Sequence, residues 1–323
     1  MARALVVNCS APHYNLGALK LRDWLVAQGE TVTLADGDPG LFAVGFEAVY
    51  LSLVFSWHAP VAKAIALRAR SHAAVSVGGP GIFALAKWWK RETGLEATTG
   101  LDWRFERQRG DYRMAFASRG CPVNCWFCVV PRIEGLAFTL DHEFRPAPIL
   151  CDNNLSALPA DFQDEILARY VAAGVRLVDA NSGFEPRSFT AETFQRWRDA
   201  LRGPWRFACD TTSELPHVER MMAVLREVSA RRKQVYVLIG NEPLAACYER
   251  ARKVIEWGGE PYCQPVMPLN ALSRDQVMIR HDWTLELLRD FARFHNRHLW
   301  RSLNLREYLP RQNEARPFAA AVL

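Results

Sequence analysis

Cys121, Cys125 and Cys128 fall within eight residues, in the run Ser118-Arg-Gly-Cys-Pro-Val-Asn-Cys-Trp-Phe-Cys-Val-Val-Pro131. Thiolates at C-x3-C-x2-C spacing in one loop can converge on a single metal centre, and thiolates are the usual ligands of iron–sulfur clusters. A closed structural zinc site asks for four protein ligands, usually from two separated pairs. No second pair is present here, but His142 stands near enough in sequence to complete a Cys3His zinc site, so that reading stays open beside the cluster. A cluster held by three thiolates leaves one iron open to a small molecule, which is a catalytic arrangement. The remaining cysteines are scattered, and a chain of 323 residues with no export signal is poor ground for a disulfide framework.

Two series of alternating strands and helices must position this loop. In the first, Ala4–Asn8, Thr31–Ala35, Ala48–Leu53 and Ala73–Val77 read as strands. Helices are expected over Leu16–Gln28 and from Pro60 to Arg70, and the last strand runs into Gly78-Gly79-Pro80-Gly81. Such alternation implies a parallel sheet wrapped by helices, here a small Rossmann- or flavodoxin-like α/β domain over residues 1–98. A polar stretch, 99–112, is the expected linker. Six further strands are expected at Arg113–Ser118, Pro148–Asp152, Val175–Ala180, Trp205–Asp210, Gln234–Gly240 and Pro261–Met267. Helical patterns lie between them, so residues 113–270 fit a partial (β/α)6 barrel of the TIM kind, with chemistry at the C-terminal strand ends. Residues 271–323 hold one more helix, about Asp282–His298, and a tail closing the barrel.

The C-x3-C-x-aromatic-C signature, met by Cys121, Cys125, Phe127 and Cys128 after the first of six β/α units, resembles the radical S-adenosylmethionine (SAM) superfamily. The resemblance covers about Tyr112–Met267. It implies an enzyme with a 4Fe–4S cluster whose open iron is chelated by SAM. Reductive cleavage would then yield a 5′-deoxyadenosyl radical that takes hydrogen from a small-molecule or nucleotide-containing substrate. An external donor such as flavodoxin or ferredoxin would supply the electron. The resemblance puts SAM contacts at the strand ends: Asp152 and Asn153 after the second strand, Asn181 and Ser182 after the third, and Asp210 after the fourth. Gly240 after the fifth and Gln264 on the sixth complete the set, with Phe127 beside the cluster. On residue type alone, Asp and Asn also favour turns, and Ser favours helix caps. Cys209 and Cys263 are candidate hydrogen donors or, as most lone cysteines are, small buried hydrophobes.

The first series and its Ser76–Gly81 run also look like the cobalamin-binding domain that precedes many radical SAM barrels, though this one is short. Ligands of open α/β sheets bind beyond the strand carboxyl ends, which here means loops near Ser10, Ser52–His58 and Gly78–Gly81, with His58 a candidate contact. Cobalamin, and with it a methyltransferase activity, is therefore the alternative chemistry. Methylthiotransferases are a more distant likeness, through Asn8-Cys9 and Cys128-Val-Val-Pro131, but only Cys9 precedes Cys121, which leaves no second cluster. A net charge of +5 without a basic run does not indicate nucleic acid, and no apolar stretch reaches the roughly 18 residues of a membrane span. The expected location is the cytoplasm. A zinc- or nucleic-acid-binding protein without enzymatic activity is the reading from another class.

Overall fold

The computed structural model describes residues 2–312. Its first unit holds strands β1 (Arg3–Asn8), β2 (Thr31–Asp36), β3 (Ala48–Ser52) and β4 (Ala74–Gly78), with helices α1 (Leu16–Ala27), α2 (Ala59–Ala69) and α3 (Ala86–Thr93). All pairings are parallel, in the order β2-β1-β3-β4. The apolar run of β1 explains its central place. Leu5 and Val7 enter one core with Val49, Leu51 and Ile65, while Ala4 and Val6 pack on the other face against Ala18 and Leu25. The register aligns Asn8 with Asp36 and Ser52, and Ser52 with Gly78, so the strands finish together on one edge. The expected elements of this unit stand within a residue or two of where periodicity put them; α3, which followed no expected pattern, is the addition.

The expected linker contains a one-turn helix, α4 (Trp103–Glu106), whose N-cap Asp102 accepts from the Arg104 amide at 3.1 Å. Beyond it lie β5 (Met114–Ala115), the hairpin strands β6 (Ser118–Arg119) and β7 (Thr139–Leu140), β8 (Ile149–Leu150) and β9 (Asp179–Ala180). Then come β10 (Trp205–Ala208), β11 (Lys233–Ile239) and β12 (Glu260–Pro265). Helices α5 (Val130–Ile133), α6 (Ala160–Ala173), α7 (Ala191–Trp197), α8 (Leu215–Val224) and α9 (Leu244–Glu256) alternate with them, and α10 (Leu285–Asn296) and α11 (Leu305–Gln312) follow. The parallel strands form two three-stranded sheets, β5-β8-β9 and β10-β11-β12, rather than one continuous ladder. Across the gap, Phe184 N donates to the Arg206 carbonyl at 2.9 Å, and the Arg206 guanidinium grips Asp179 through two bonds of 2.8 Å.

The first expected strand of this unit, Arg113–Ser118, is cut in two. The Ala117 amide donates not to a neighbouring strand but to the Asp152 carboxylate, at 2.8 Å, which ends the ladder there. On β12 the two-residue period holds: Tyr262 and Gln264 are exposed while Cys263 is buried. Cys263 lies under α10, where Asn296 bonds both its amide and its carbonyl, and Cys209 is buried in the same apolar core. Both are packing residues. No helix among the described residues is long and apolar enough to cross a membrane.

His295 on α10 is 1% exposed, lies against Phe291 and Phe294, and its Nδ1 is 2.9 Å from the Phe291 carbonyl. Burial pulls its pKa down from 6.5 to about 4. The unfolded chain therefore takes up a proton below about pH 6.5 that the folded chain refuses until about pH 4. Stability from this residue is complete above that window and falls, by about 3 kcal/mol in total, as pH drops through it. Urea unfolding at pH 7 and pH 4.5 should show the loss, and His295→Leu should flatten it; an equally steep pH dependence in that variant would refute the assignment.

Candidate functional site

The cysteine loop begins at the end of β6 and is closed by the antiparallel pairing of β6 with β7. Its first turn needs a residue without a side chain. Gly120 has φ +92°, and a Cβ there would stand 2.2 Å from the Ala137 carbonyl oxygen. Its amide donates to Glu134 Oε2 at 2.9 Å, and the next amide, of Cys121, donates to the Gly135 carbonyl at 3.2 Å. The loop is thus stitched to the segment that follows α5.

All three thiols are partly buried. Burial, with the charges of Asp210 and Cys128 nearby, raises Cys125 to about 11. Cys128 is raised mainly by burial, and Cys121 adds to this while the Val130 amide, 3.4 Å from its sulfur, opposes it. Asn154 Nδ2 lies 3.9 Å from Cys121 Sγ. Amide donors on the sulfurs are among the features that set cluster potentials. Among the described residues no three His, Cys, Asp or Glu side chains stand close enough to hold one metal ion. That is not the arrangement of a closed Cys3His zinc site, and His142 instead meets Glu165 at 2.7 Å and packs on Phe162. A cluster binds each thiolate to a different iron and so asks for wider sulfur spacing.

A cavity of about 650 Å³ opens between the two units. The first unit contributes the ends of its strands, among them Ser52, Val54, Gly78 and Gly79, together with Tyr14. The second contributes Val129, Val130 and Glu134 from the cysteine segment and Cys151, Asn153, Asn181 and Ser182 from the ends of β8 and β9. Gly79, at φ +100°, packs so tightly that a Cβ would meet the Leu53 carbonyl at 2.3 Å. His58 is not in this wall; its Nδ1 is 3.1 Å from Ser10 Oγ.

The expected contacts divide into three groups. Asn153, Asn181 and Ser182 share the cavity with the cysteine segment, and Asn153 Nδ2 donates to the Gly120 carbonyl at 3.2 Å and to Glu134 at 2.7 Å. Asp210 sits beside the thiols, felt by both Cys125 and Cys128, and burial together with Glu214 raises its pKa to about 7 against the pull of Arg250. Asp152, Gly240 and Gln264 lie elsewhere. Asp152 is fully buried, held by Ala117 N and by Ser118 Oγ at 2.5 Å, and burial lifts its pKa to about 6. It braces the first strand and does not face a ligand. Gly240 does need its close backbone approach, but what approaches is the Met278 carbonyl, 2.6 Å from where a Cβ would be. Gln264 is exposed on β12, outside the cavity wall. Phe127 is half-buried with its neighbour Trp126 edge-on at 5.4 Å.

Several charged residues at this site were not foreseen. Arg119 bonds Glu134 at 3.2 Å and Glu106 at 2.7 Å, and Glu106 in turn holds Lys20 of α1 at 3.1 Å. Arg250 of α9, fully buried, donates to the carbonyls of Cys209 at 2.6 Å and Leu238 at 2.8 Å, tying β10 and β11 together. Glu185 and Arg187 add their charges beside Cys125, and Arg187 bonds Glu185 at 2.7 Å. The one sequence signal for these was adjacency: Arg119 and Glu134 flank the cysteine run.

No protein-family model matches the chain, and no curated protein matches it by sequence. Solved structures similar in fold include the following two. One is the radical SAM methyltransferase TsrM from Kitasatospora setae, with cobalamin and a 4Fe–4S cluster bound, at TM-score 0.57 and 16% identity over 84% of this chain and 77% of that one. The other is the cobalamin-dependent SAM radical enzyme OxsB, with aqua-cobalamin and SAM bound, at TM-score 0.54 and 14% identity. There the match covers 92% of this chain but only 56% of OxsB. At these identities the likeness is one of fold, and it spans both units.

Gly120→Ala should destabilise the protein by about 2 kcal/mol more than Gly135→Ala. Both glycines have positive φ, but only the first lacks room for a Cβ, since nothing lies within 4 Å of the second. Chemical denaturation of the two variants makes the comparison; equal losses would mean that the Ala137 contact yields easily.

Proposed function

We propose that the chain is a radical SAM enzyme whose 4Fe–4S cluster is held by Cys121, Cys125 and Cys128, and that the cavity between the two units binds cobalamin. The observation that carries this is a juxtaposition: residues of the three-cysteine segment form one wall of the cavity, and the strand ends of a four-stranded parallel sheet form the other. We read β5-β8-β9 and β10-β11-β12 as the halves of a (β/α)6 partial barrel, and the first unit as Rossmann-like.

The donor set suits the cluster. Three thiols share one loop, and Cys125 feels the charge of Cys128 as Cys128 feels that of Cys121. Burial keeps the Cys125 and Cys128 thiols neutral, so their taking up iron would release protons. When bound, the cluster would supply the electron that cleaves SAM, and the corrinoid would supply a carrier for a methyl group.

The chain's own residues have separate tasks in this reading. Glu185, and Asp210 when ionised, set negative charge next to Cys125, where the ammonium or ribose hydroxyls of SAM would be received. Arg187, paired with Glu185, and Arg250, pulling on Asp210, keep this group of carboxylates from repelling one another outright. Asn153, Asn181 and Ser182 offer neutral donors and acceptors on the cavity side. The apolar stretches of the first unit's wall, including Leu16, Leu51 and Val54, would exclude water from the face of a large ring. The volume is within the range of roughly 300–1,000 Å³ of ordinary ligand pockets, so the cavity would take the corrin ring rather than the whole coenzyme.

Anaerobic reconstitution with iron and sulfide tests the reading. Cys121→Ala, Cys125→Ala and Cys128→Ala should each abolish SAM cleavage, while Cys247→Ala, a core residue, should leave it intact. Cleavage surviving in any of the first three, or a purified protein with zinc and no iron, would sink the assignment. Hydroxocobalamin should co-elute with the wild-type protein on gel filtration, and a bulky residue in the cavity wall, Ser182→Trp, should prevent it. No retention by the wild type removes the corrinoid while leaving the SAM chemistry standing.

A further inference from the structure

Four charged side chains form a largely buried chain from α1 to the cysteine loop. Lys20 Nζ meets Glu106 at 3.1 Å, Arg119 meets Glu106 at 2.7 Å, and Arg119 meets Glu134 at 3.2 Å. Their side chains are between 9% and 12% exposed. Two cations and two anions cancel, as burial demands, because an uncompensated charge in such a place costs several kcal/mol. Burial by itself would raise Glu106, yet Arg119 and Lys20 outweigh it and hold the carboxyl below the usual range. Arg119 is further fixed from behind, its guanidinium 3.4 Å from the Phe116 ring centre.

The chain ends on Glu134, which does more than close an ion pair. One of its oxygens receives the Gly120 amide at 2.9 Å and the Asn153 amide at 2.7 Å, and the other receives Arg119. It therefore joins the residue before Cys121 to the end of β8, while its charge reaches Cys128.

Building on the iron–sulfur reading above, we infer that Glu134 is the positioning residue of the cysteine loop, and that the Glu134–Arg119–Glu106–Lys20 chain sets the reduction potential of the cluster. The carboxylate clamps Gly120 and thereby aims Cys121. Its negative charge opposes addition of an electron to the cluster, and Arg119 offsets that charge. Removing either partner leaves the other uncompensated, so the two removals push the potential in opposite directions.

Dithionite titration of the reconstituted protein, followed by visible absorbance and electron paramagnetic resonance, reads this directly. Glu134→Gln should move the midpoint to more positive values and Arg119→Gln to more negative ones, each with iron and sulfide near the wild-type content. Shifts of the same sign, or two midpoints that coincide with the wild type, overturn the inference. Where Glu134→Gln does not hold its cluster, Glu106→Gln decides, since Glu106 touches neither Gly120 nor Asn153. Full iron in Glu106→Gln beside loss in Glu134→Gln supports the clamp, and equal loss in both refutes it. A wild-type protein that takes up no iron removes the iron–sulfur reading itself, and this inference with it.

Discussion

A left-handed glycine with a carbonyl pressed against its missing side chain is where the parts of this molecule meet. Gly120 turns the chain from β6 into the cysteine loop, and only a residue without a Cβ can lie against Ala137 there. The same peptide is held by Glu134 on one side and Asn153 on the other. Through Glu134 the loop is tied to Arg119, and through Arg119 and Glu106 to α1 of the first unit. Had the turn been wider, the thiols would project in other directions and the wall between loop and cavity would not form.

Buried charge elsewhere follows the same logic of local cancellation. Arg206 and Asp179 cross the gap between the two parallel sheets, where the strand ladder lapses, and Arg250 caps carbonyls at the ends of β10 and β11. Asp152 keeps its place by accepting from Ala117 and Ser118, and its pKa rises to about 6 in consequence of burial. Polar groups thus hold together seams that apolar packing alone would leave without a fixed register.

The first unit was almost wholly legible. Its central strands β1 and β3 are apolar runs bounded by turn residues, and those properties depend on neighbours in sequence. The cysteine loop was legible for the same reason, as spacing within one turn is a local matter. Reading failed where a residue's partner lay far along the chain. Asp152 and Asn153 are adjacent and of similar type, yet one is buried against Ala117 and Ser118 and the other lines the cavity. Gly240 was rightly a point of close approach, but its neighbour is Met278, not a ligand.

The sequence by itself determined a three-thiol loop and the alternation of strands and helices on either side of it. Each of these is written in residue type and short-range period. Only the tertiary structure decided which polar side chains face the cavity, that His142 meets Glu165, and that the loop is held by charges. Lys20 and Glu106 lie 86 positions apart, and no periodicity couples them. What brings them together is the need to neutralise charge once packing of the chain has buried both groups.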